Sequence, residues 1–320
     1  MRVWTIAELG SPAVQKDIAA PIPAQGQALI TIAACGLNFA DLLMQAGTYQ
    51  ERPPLPFIPG MELAGTVTAL GPDTIGPPIG TRVAVLAGNG GLAQQGCFAA
   101  AQLVPLPQAM PFTDAAAFQI AYATSHLALD HRAKLQPGET LLVLGAAGGV
   151  GLTAVELGKK MGARVIACAR GADHLAVAKS AGADIVIDSE SPALKDQLKS
   201  LGGVDVVYDP VGGPGFDAAL RATRPEGRLL TIGFASGQVP QIPANLLLVK
   251  NLTVIGLYIG GYITFAPDRL ATSMTRLFGW YADGSLKPHI SHILPFDRLH
   301  EGLDLLRSRK ATGKVVIKVD

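Results

Sequence analysis

An α/β protein in two parts, a β-rich domain and a doubly wound parallel-sheet domain, is the fold class the sequence predicts. Three observations predict it. The 320 residues give room for about two domains. The first 120 residues break into short alternating runs separated by turns, the texture of irregular β structure. From residue 141 onward, apolar runs of five or six residues alternate with helical stretches, as a parallel sheet covered on both faces requires.

In the first part the strands fall at 28–34, 63–70, 82–86, 96–99 and 103–106. In the second, strands at 141–145 (LLVLG), 164–169 (RVIACA), 184–187 (DIVI), 205–209 (DVVYD), 227–233 (GRLLTIG) and 252–256 (LTVIG) alternate with helices at 150–161, 173–181, 191–201 and 214–222. The tail carries a helix at 268–283, a shorter one near 296–308 and a last strand at 314–318. That strand has to pair somewhere, and the β-rich part is its host. The division is therefore 1–122 and 261–320 as one domain, with 123–260 inserted between them.

Composition narrows the function classes. Hydrophobic residues make up 49%, and the 37 Gly and 23 Pro are dispersed as turn punctuation, so the chain is not disordered. Lys plus Arg number 26 against 25 Asp plus Glu, a formal charge of +1 that offers no basic excess to nucleic acid or an anionic membrane. Cys35, Cys97 and Cys168 lie too far apart for a disulfide framework or a zinc knuckle. The opening MRVWTIAELG lacks the apolar core of a signal peptide, and the uncharged run 83–113 is broken by Gly, Asn, Gln and Pro. A soluble, cytoplasmic protein is the expectation, with no nucleic-acid and no membrane partner.

The chemical signal is LLVLGAAGGVG, a buried strand running through Gly145, Ala146, Ala147, Gly148, Gly149, Val150 and Gly151 into a helix. Glycines let the backbone turn sharply and approach a pyrophosphate, while the helix N-terminus presents free amides and the positive end of its dipole. The GxxGxxG spacing departs from the GxGxxG fingerprint; strand before, helix after and a second strand beyond make the case. At the end of that second strand, where an acid would accept the ribose 2′-OH of NAD, the sequence reads Arg170-Gly171-Ala172-Asp173-His174. Arg170 and His174 suit a 2′-phosphate, so NADPH is the expected cofactor; Asp173 is read as a cap for the next helix.

These motifs, with CGLNFAD (35–41), PGMELAG (59–65), YDPVGG (208–213), IGF (232–234) and ATGKVV (311–316), resemble the zinc-free quinone oxidoreductase, zeta-crystallin-like branch of the medium-chain dehydrogenase/reductases over essentially the whole chain. The resemblance implies a GroES-like β-rich catalytic domain plus a Rossmann domain, with the cofactor in the cleft between them. Zinc-dependent relatives place a ligand Cys where this chain has Asn38 and a ligand His where it has Met61, and neither side chain here is a zinc ligand, so no metal is expected. Without a Lewis acid the chemistry runs from NADPH to an acceptor that takes hydride readily, a quinone or a conjugated carbonyl.

The resemblance places Asn38 beside nicotinamide and substrate, where its amide would hydrogen-bond an acceptor oxygen; the competing reading is a helix cap. Asp41 is read as structural and Tyr122 as packing. Tyr49 matches the tyrosine that enoyl reductases use as a proton donor, and a gate aromatic with no proton role stands equally open. Thr124 falls on a helix where relatives point a hydroxyl at the nicotinamide. Phe234, Ala235 and Ser236, with Leu257 and Ile259, follow strands at the carboxyl side of the sheet and are expected to meet the nicotinamide half through backbone groups and apolar contact. Gly313 and Lys314 resemble the family's C-terminal cofactor contact, with a plain surface lysine as the alternative. His289 and His292 form an HxxH on an extended segment, where i and i+3 face opposite ways, so a metal site there is rejected. The apolar strand at 252–256, opening at Leu252 and ending at Gly256, would be an aggregation hazard if left open; relatives pair it with its copy, so a twofold homodimer is expected. Three functions follow in order: an NADPH-dependent quinone reductase, a reductase of activated C=C bonds (enone, alkenal or enoyl thioester) with Tyr49 as acid, and a weakly catalytic NADPH-binding structural or sensor protein.

Overall fold

Each apolar run after residue 140 becomes a strand of one parallel sheet in the computed structural model, which describes residues 1–319. In spatial order the strands are Ile185–Asp188, Arg164–Ala169, Thr140–Leu144, Val204–Asp209, Thr223–Thr231 and Thr253–Gly256. Every residue of Thr140–Leu144 is buried, because helices cover both faces of the sheet. The order reverses between Thr140–Leu144 and Val204–Asp209, which pair in parallel through Leu141 and Val206. At such a switch point an open sheet gathers ligands outside its carboxyl ends. Leu142, Leu144, Ile166, Val207 and Phe216 lie in the core of this unit.

The described chain divides into two compact units, residues 121–277 and residues 1–120 with the chain from 278 onward. Residues 261–277 therefore join the parallel-sheet unit, a different boundary from the expected one at 260. Side-chain bonding gives the reason: in helix Pro267–Ala282, Ser273 hydrogen-bonds His126 at 2.7 Å and Arg269 hydrogen-bonds His131 at 2.9 Å.

In the other unit a seven-stranded sheet runs Ile290–Pro295, Lys314–Lys318, Gln27–Leu37, Glu62–Leu70, Arg82–Leu86 and Leu103–Pro105, with Gln95–Ala99 pairing Gln27–Leu37 off that path. The terminal strand does find its host in the β-rich part, antiparallel to Gln27–Leu37 with Val315 opposite Leu37. On the other side of Gln27–Leu37, Glu62 stands opposite Gly36. A Cβ at Gly36 would lie 2.1 Å from the Ala116 carbonyl oxygen, so only glycine fits there. The first residues of two strands, Lys314 and Glu62, thus flank the end of a third, just where Asn38 begins helix Phe39–Gln45.

Candidate active site

The glycine loop folds as its spacing requires. Gly145 turns the chain with φ +57°, and Gly148, in extended backbone, caps helix Gly149–Lys160. Gly151 packs against the turn so closely that a Cβ would sit 2.1 Å from the Gly145 carbonyl oxygen, whereas a Cβ on Gly148 would meet that oxygen at 3.4 Å. Gly148, Gly149 and Val150 are half-buried. Their place at the helix N-terminus leaves first-turn amides without intrahelical acceptors, and Ala147 lies buried just before them.

At the end of strand Arg164–Ala169, Arg170 is exposed and makes no hydrogen bond or ion pair among the described residues. Gly171, at φ +77°, opens helix Ala172–Ser180, with His174 in its first turn. Asp173 does not cap this helix: Gly171 takes the cap position without a side-chain bond, and Asp173 sits in the first turn, where its charge favours the dipole.

Thr124 is 5% exposed, and its hydroxyl has no hydrogen-bond partner among the described residues. The hydroxyl of Thr231, ending a strand of the parallel sheet, is likewise buried and unpaired. An unpaired buried hydroxyl is costly, so two in one unit mark places where a ligand atom is wanted. Ser125, next to Thr124, bonds the Val150 carbonyl at 2.9 Å and the hydroxyls of Thr153 and Tyr208, tying its helix to the one behind the glycine loop. Tyr122 does more than pack, since its phenol bonds Glu156 of that same helix.

Beyond the sheet, the turns at 234–236 and 257 have part of their backbone already engaged. The N–H groups of Ala235 and Ser236 already donate to the Pro210 and Val211 carbonyls at 3.1 and 2.9 Å, and that of Leu257 donates to Thr231 at 3.1 Å. These turns satisfy their own amides, leaving carbonyls and apolar surface to a ligand. Phe234 is 39% exposed; Leu257 and Ile259 are buried.

In the β-rich unit, Asn38 is held on both sides of its amide. Its Nδ2 donates to Glu62 Oε1 at 2.9 Å, and its Oδ1 accepts from the Lys314 ammonium at 2.6 Å. The ammonium also donates to Glu62 Oε1 and to the Leu37 carbonyl, each at 2.8 Å, so all its hydrogens are engaged. Glu62 is fully buried and Lys314 is 5% exposed. One reading is corrected: Lys314 is not a surface cation but an internal counter-ion. Asn38 does stand at the cap of its helix, but its amide is also fixed in orientation by a carboxylate and a cation.

Asp41, 3% exposed, accepts the Asn38 N–H at 2.8 Å and the Gly60 N–H at 3.3 Å. Burial pushes its carboxyl up to about 6 against the pull of those bonds and of Lys314. Cys35 lies buried beside this cluster, its thiol raised by burial and by the negative charges of Asp41 and Glu62. Tyr49 is half-buried in the bend after helix Phe39–Gln45. Gly313, at φ +59°, is required because a Cβ there would lie 2.2 Å from the His289 carbonyl oxygen. The HxxH imidazoles go separate ways, His289 to Thr312 and His292 to Ser291. Sequence reading missed Glu62 and Thr231 as site residues. Its signal for Glu62 was present: a lone acid opens an otherwise uncharged strand, as the cation Lys314 opens another.

Residues 24–108 match the alcohol dehydrogenase GroES-like domain, and residues 149–277 match the zinc-binding dehydrogenase family. The chain is similar to a quinone oxidoreductase-like protein 2 homolog from Nematostella vectensis, 39% identical over 97% of this chain and 87% of that protein. Among solved structures it resembles the quinone oxidoreductase from Thermus thermophilus, described also in complex with NADPH (TM-score 0.89, 33% identity, 99% and 100% of the two chains). It also resembles the Escherichia coli quinone oxidoreductase complexed with NADPH (TM-score 0.93, 28% identity, 99% and 100%).

Proposed function

The chain belongs to the zinc-free medium-chain dehydrogenase/reductase family, and from that premise we propose that it is an NADPH-dependent oxidoreductase whose acceptor is a small quinone. The observation that carries the reading is the pair of sites just described: a glycine loop followed by an unpartnered Arg170 in place of an acid, and an Asn38 amide locked where zinc relatives have a ligand. NADPH fits these residues. The loop offers amides that a Cβ at Gly151 would displace, and the orphaned Thr124 and Thr231 hydroxyls lack a partner that a carboxamide would provide.

When bound, NADPH supplies hydride from its nicotinamide. Gly149 and Val150 would hold the pyrophosphate with first-turn amides, and Arg170, with His174 nearby in sequence, would take the 2′-phosphate by charge-assisted bonds. Thr124 and Thr231 would offer hydroxyls to the carboxamide. Asn38, prevented from flipping by Glu62 and Lys314, donates from Nδ2 to Glu62 Oε1 at 2.9 Å and to the Gly36 carbonyl at 3.4 Å, and the second, longer bond is the one an acceptor oxygen would take over. Its orientation is set before any substrate arrives, which is the condition for stabilising charge that develops during reaction. Tyr49 stands one bend beyond the same short helix, within the segment that Asn38 begins.

Replacing Arg170 with Ala tests the cofactor half. The ratio of kcat/KM for NADPH over NADH is expected to fall by roughly 10- to 100-fold, the weight of one to two charge-assisted bonds. An unchanged ratio overturns the assignment of the 2′-phosphate to Arg170.

A homodimer belongs to the same proposal. Strand Thr253–Gly256 pairs on one side only, with Thr223–Thr231, and an open apolar edge of this kind needs cover. Pairing with its own copy about a twofold axis supplies it. Sedimentation at micromolar concentration is expected to give twice the 33.2 kDa chain mass, and a monomer there rules the pairing out.

A further inference from the structure

Beyond the nucleotide loop, the parallel-sheet unit holds a second polar site. After helix Phe112–His126 the backbone widens into a π-helical stretch, Leu127–Arg132, and just past it the Ala133 N–H reaches back five residues to the Ala128 carbonyl at 2.8 Å. Such turns are rare and concentrate at functional sites. Just past the cap of this stretch, Lys134 ends it in left-handed backbone with φ +50°.

Between this stretch and helix Pro267–Ala282 lies a cavity of about 500 Å³, within the range of small-ligand sites. Its floor is His126 and Ser273, buried and hydrogen-bonded to each other. Lys134, His131, Arg269 and Arg276 line it as well. Its lining joins the aliphatic stems of long charged side chains to their charged heads, and the heads set its electrostatics.

Its charge is unbalanced. Lys134, Arg269 and Arg276 are permanent cations against the carboxylates Asp130 and Asp268. Arg276 and Asp130 stand 3.6 Å apart and are both about half exposed, so their attraction is weak. Arg269 donates to His131 Nδ1, which leaves that imidazole neutral with its proton on Nε2. We propose that this cavity is a binding site for a small, multiply charged oxyanion, a phosphoryl or carboxylate compound gripped by Arg269 and Lys134.

The site carries its own pH signature. Burial and the nearby Arg269, Arg132 and Lys134 hold His131 below the usual imidazole range, with Asp130 pulling the other way. On the floor, burial and Arg276 lower His126, again against Asp130. Asp268 completes the ionisable groups lining the cavity. An oxyanion relieves the repulsion that keeps His131 neutral, so binding takes up a proton and tightens as pH falls.

Isothermal titration of the full chain with sulfate, a dianion throughout the range, tests this without titration of the probe itself. Saturating NADPH fills the glycine loop, and citrate in a parallel arm separates carboxylate from tetrahedral oxyanion preference. One sulfate per chain is expected, bound several-fold tighter at pH 6 than at pH 8, and about tenfold weaker in the Lys134→Ala, Arg269→Ala double variant. Equal binding by the double variant, confirmed folded by an unchanged Tm, overturns the proposal, as does the absence of binding by both probes. If the chain binds no NADPH, the double variant still decides this question, because neither residue lies in the glycine loop.

Discussion

The Lys314→Met variant is expected to lose about 3–5 kcal/mol of stability in urea unfolding, the cost of stranding a buried charge. Lys314 is the cation within hydrogen-bond reach of the fully buried Glu62, 2.8 Å away, and removing it also strips acceptors at Leu37 and Asn38 of their donor. Glu62 Oε2 retains the Ile120 N–H at 2.9 Å, and Oε1 retains Asn38 Nδ2, but two neutral donors do not replace an ammonium. Adding Glu62→Gln to Lys314→Met removes the stranded charge, so the double variant is expected to recover about half of the loss. A Lys314→Met loss under about 1 kcal/mol, the scale of a surface pair, would mean that the network does not hold the strand ends together.

Gly151→Ala has the next largest effect, and on binding rather than stability alone. Its new Cβ falls 2.1 Å from the Gly145 carbonyl oxygen and 3.0 Å from Ala146 Cα, backbone atoms that move only if the turn itself moves. Overpacking of this kind costs about 1–3 kcal/mol of stability. Displacing the turn also displaces the first-turn amides, so NADPH affinity, read by nucleotide fluorescence, is expected to fall about 100-fold or more. Gly148→Ala is the control. Its φ is −78° and its Cβ would stand 3.4 Å from the nearest atom, so stability is expected to stay close to the parent. Parent-like NADPH affinity in a folded Gly151→Ala protein would detach the loop from the cofactor.

The parallel-sheet unit was readable because its signals are local. Strands such as Thr140–Leu144 are buried along their full length and announce themselves as continuous apolar runs, and the loop glycines meet their constraints within a single turn. The hairpin of Arg2–Thr5 with Val14–Asp17 was not legible, since Val14–Asp17 (VQKD) is short, polar and mostly exposed. Helices Ala244–Lys250 and Ile259–Phe265 are short and carry no side-chain cap, so little in the sequence marks where they begin.

The Asn38 cluster shows the opposite limit. Its spacing of Asn38 and Asp41 is the local signature of a capping box, and it could be read as such. Its other partners lie 24 and 276 residues away, and only the pairing of three strand ends brings them together. A cation in a pattern such as KVVIK reads as surface until the strand is known to be buried.

The most direct measurement is NADPH oxidation at 340 nm by purified, chelator-treated protein, offered a small quinone and a conjugated enone as separate acceptors, with NADH in parallel. Quinone-dependent loss of NADPH is expected, faster than with NADH and indifferent to the chelator. Consumption with the enone alone, abolished by Tyr49→Phe, would contradict the quinone assignment and make Tyr49 the acid, and tight NADPH binding with neither acceptor consumed would contradict the reading as a reductase.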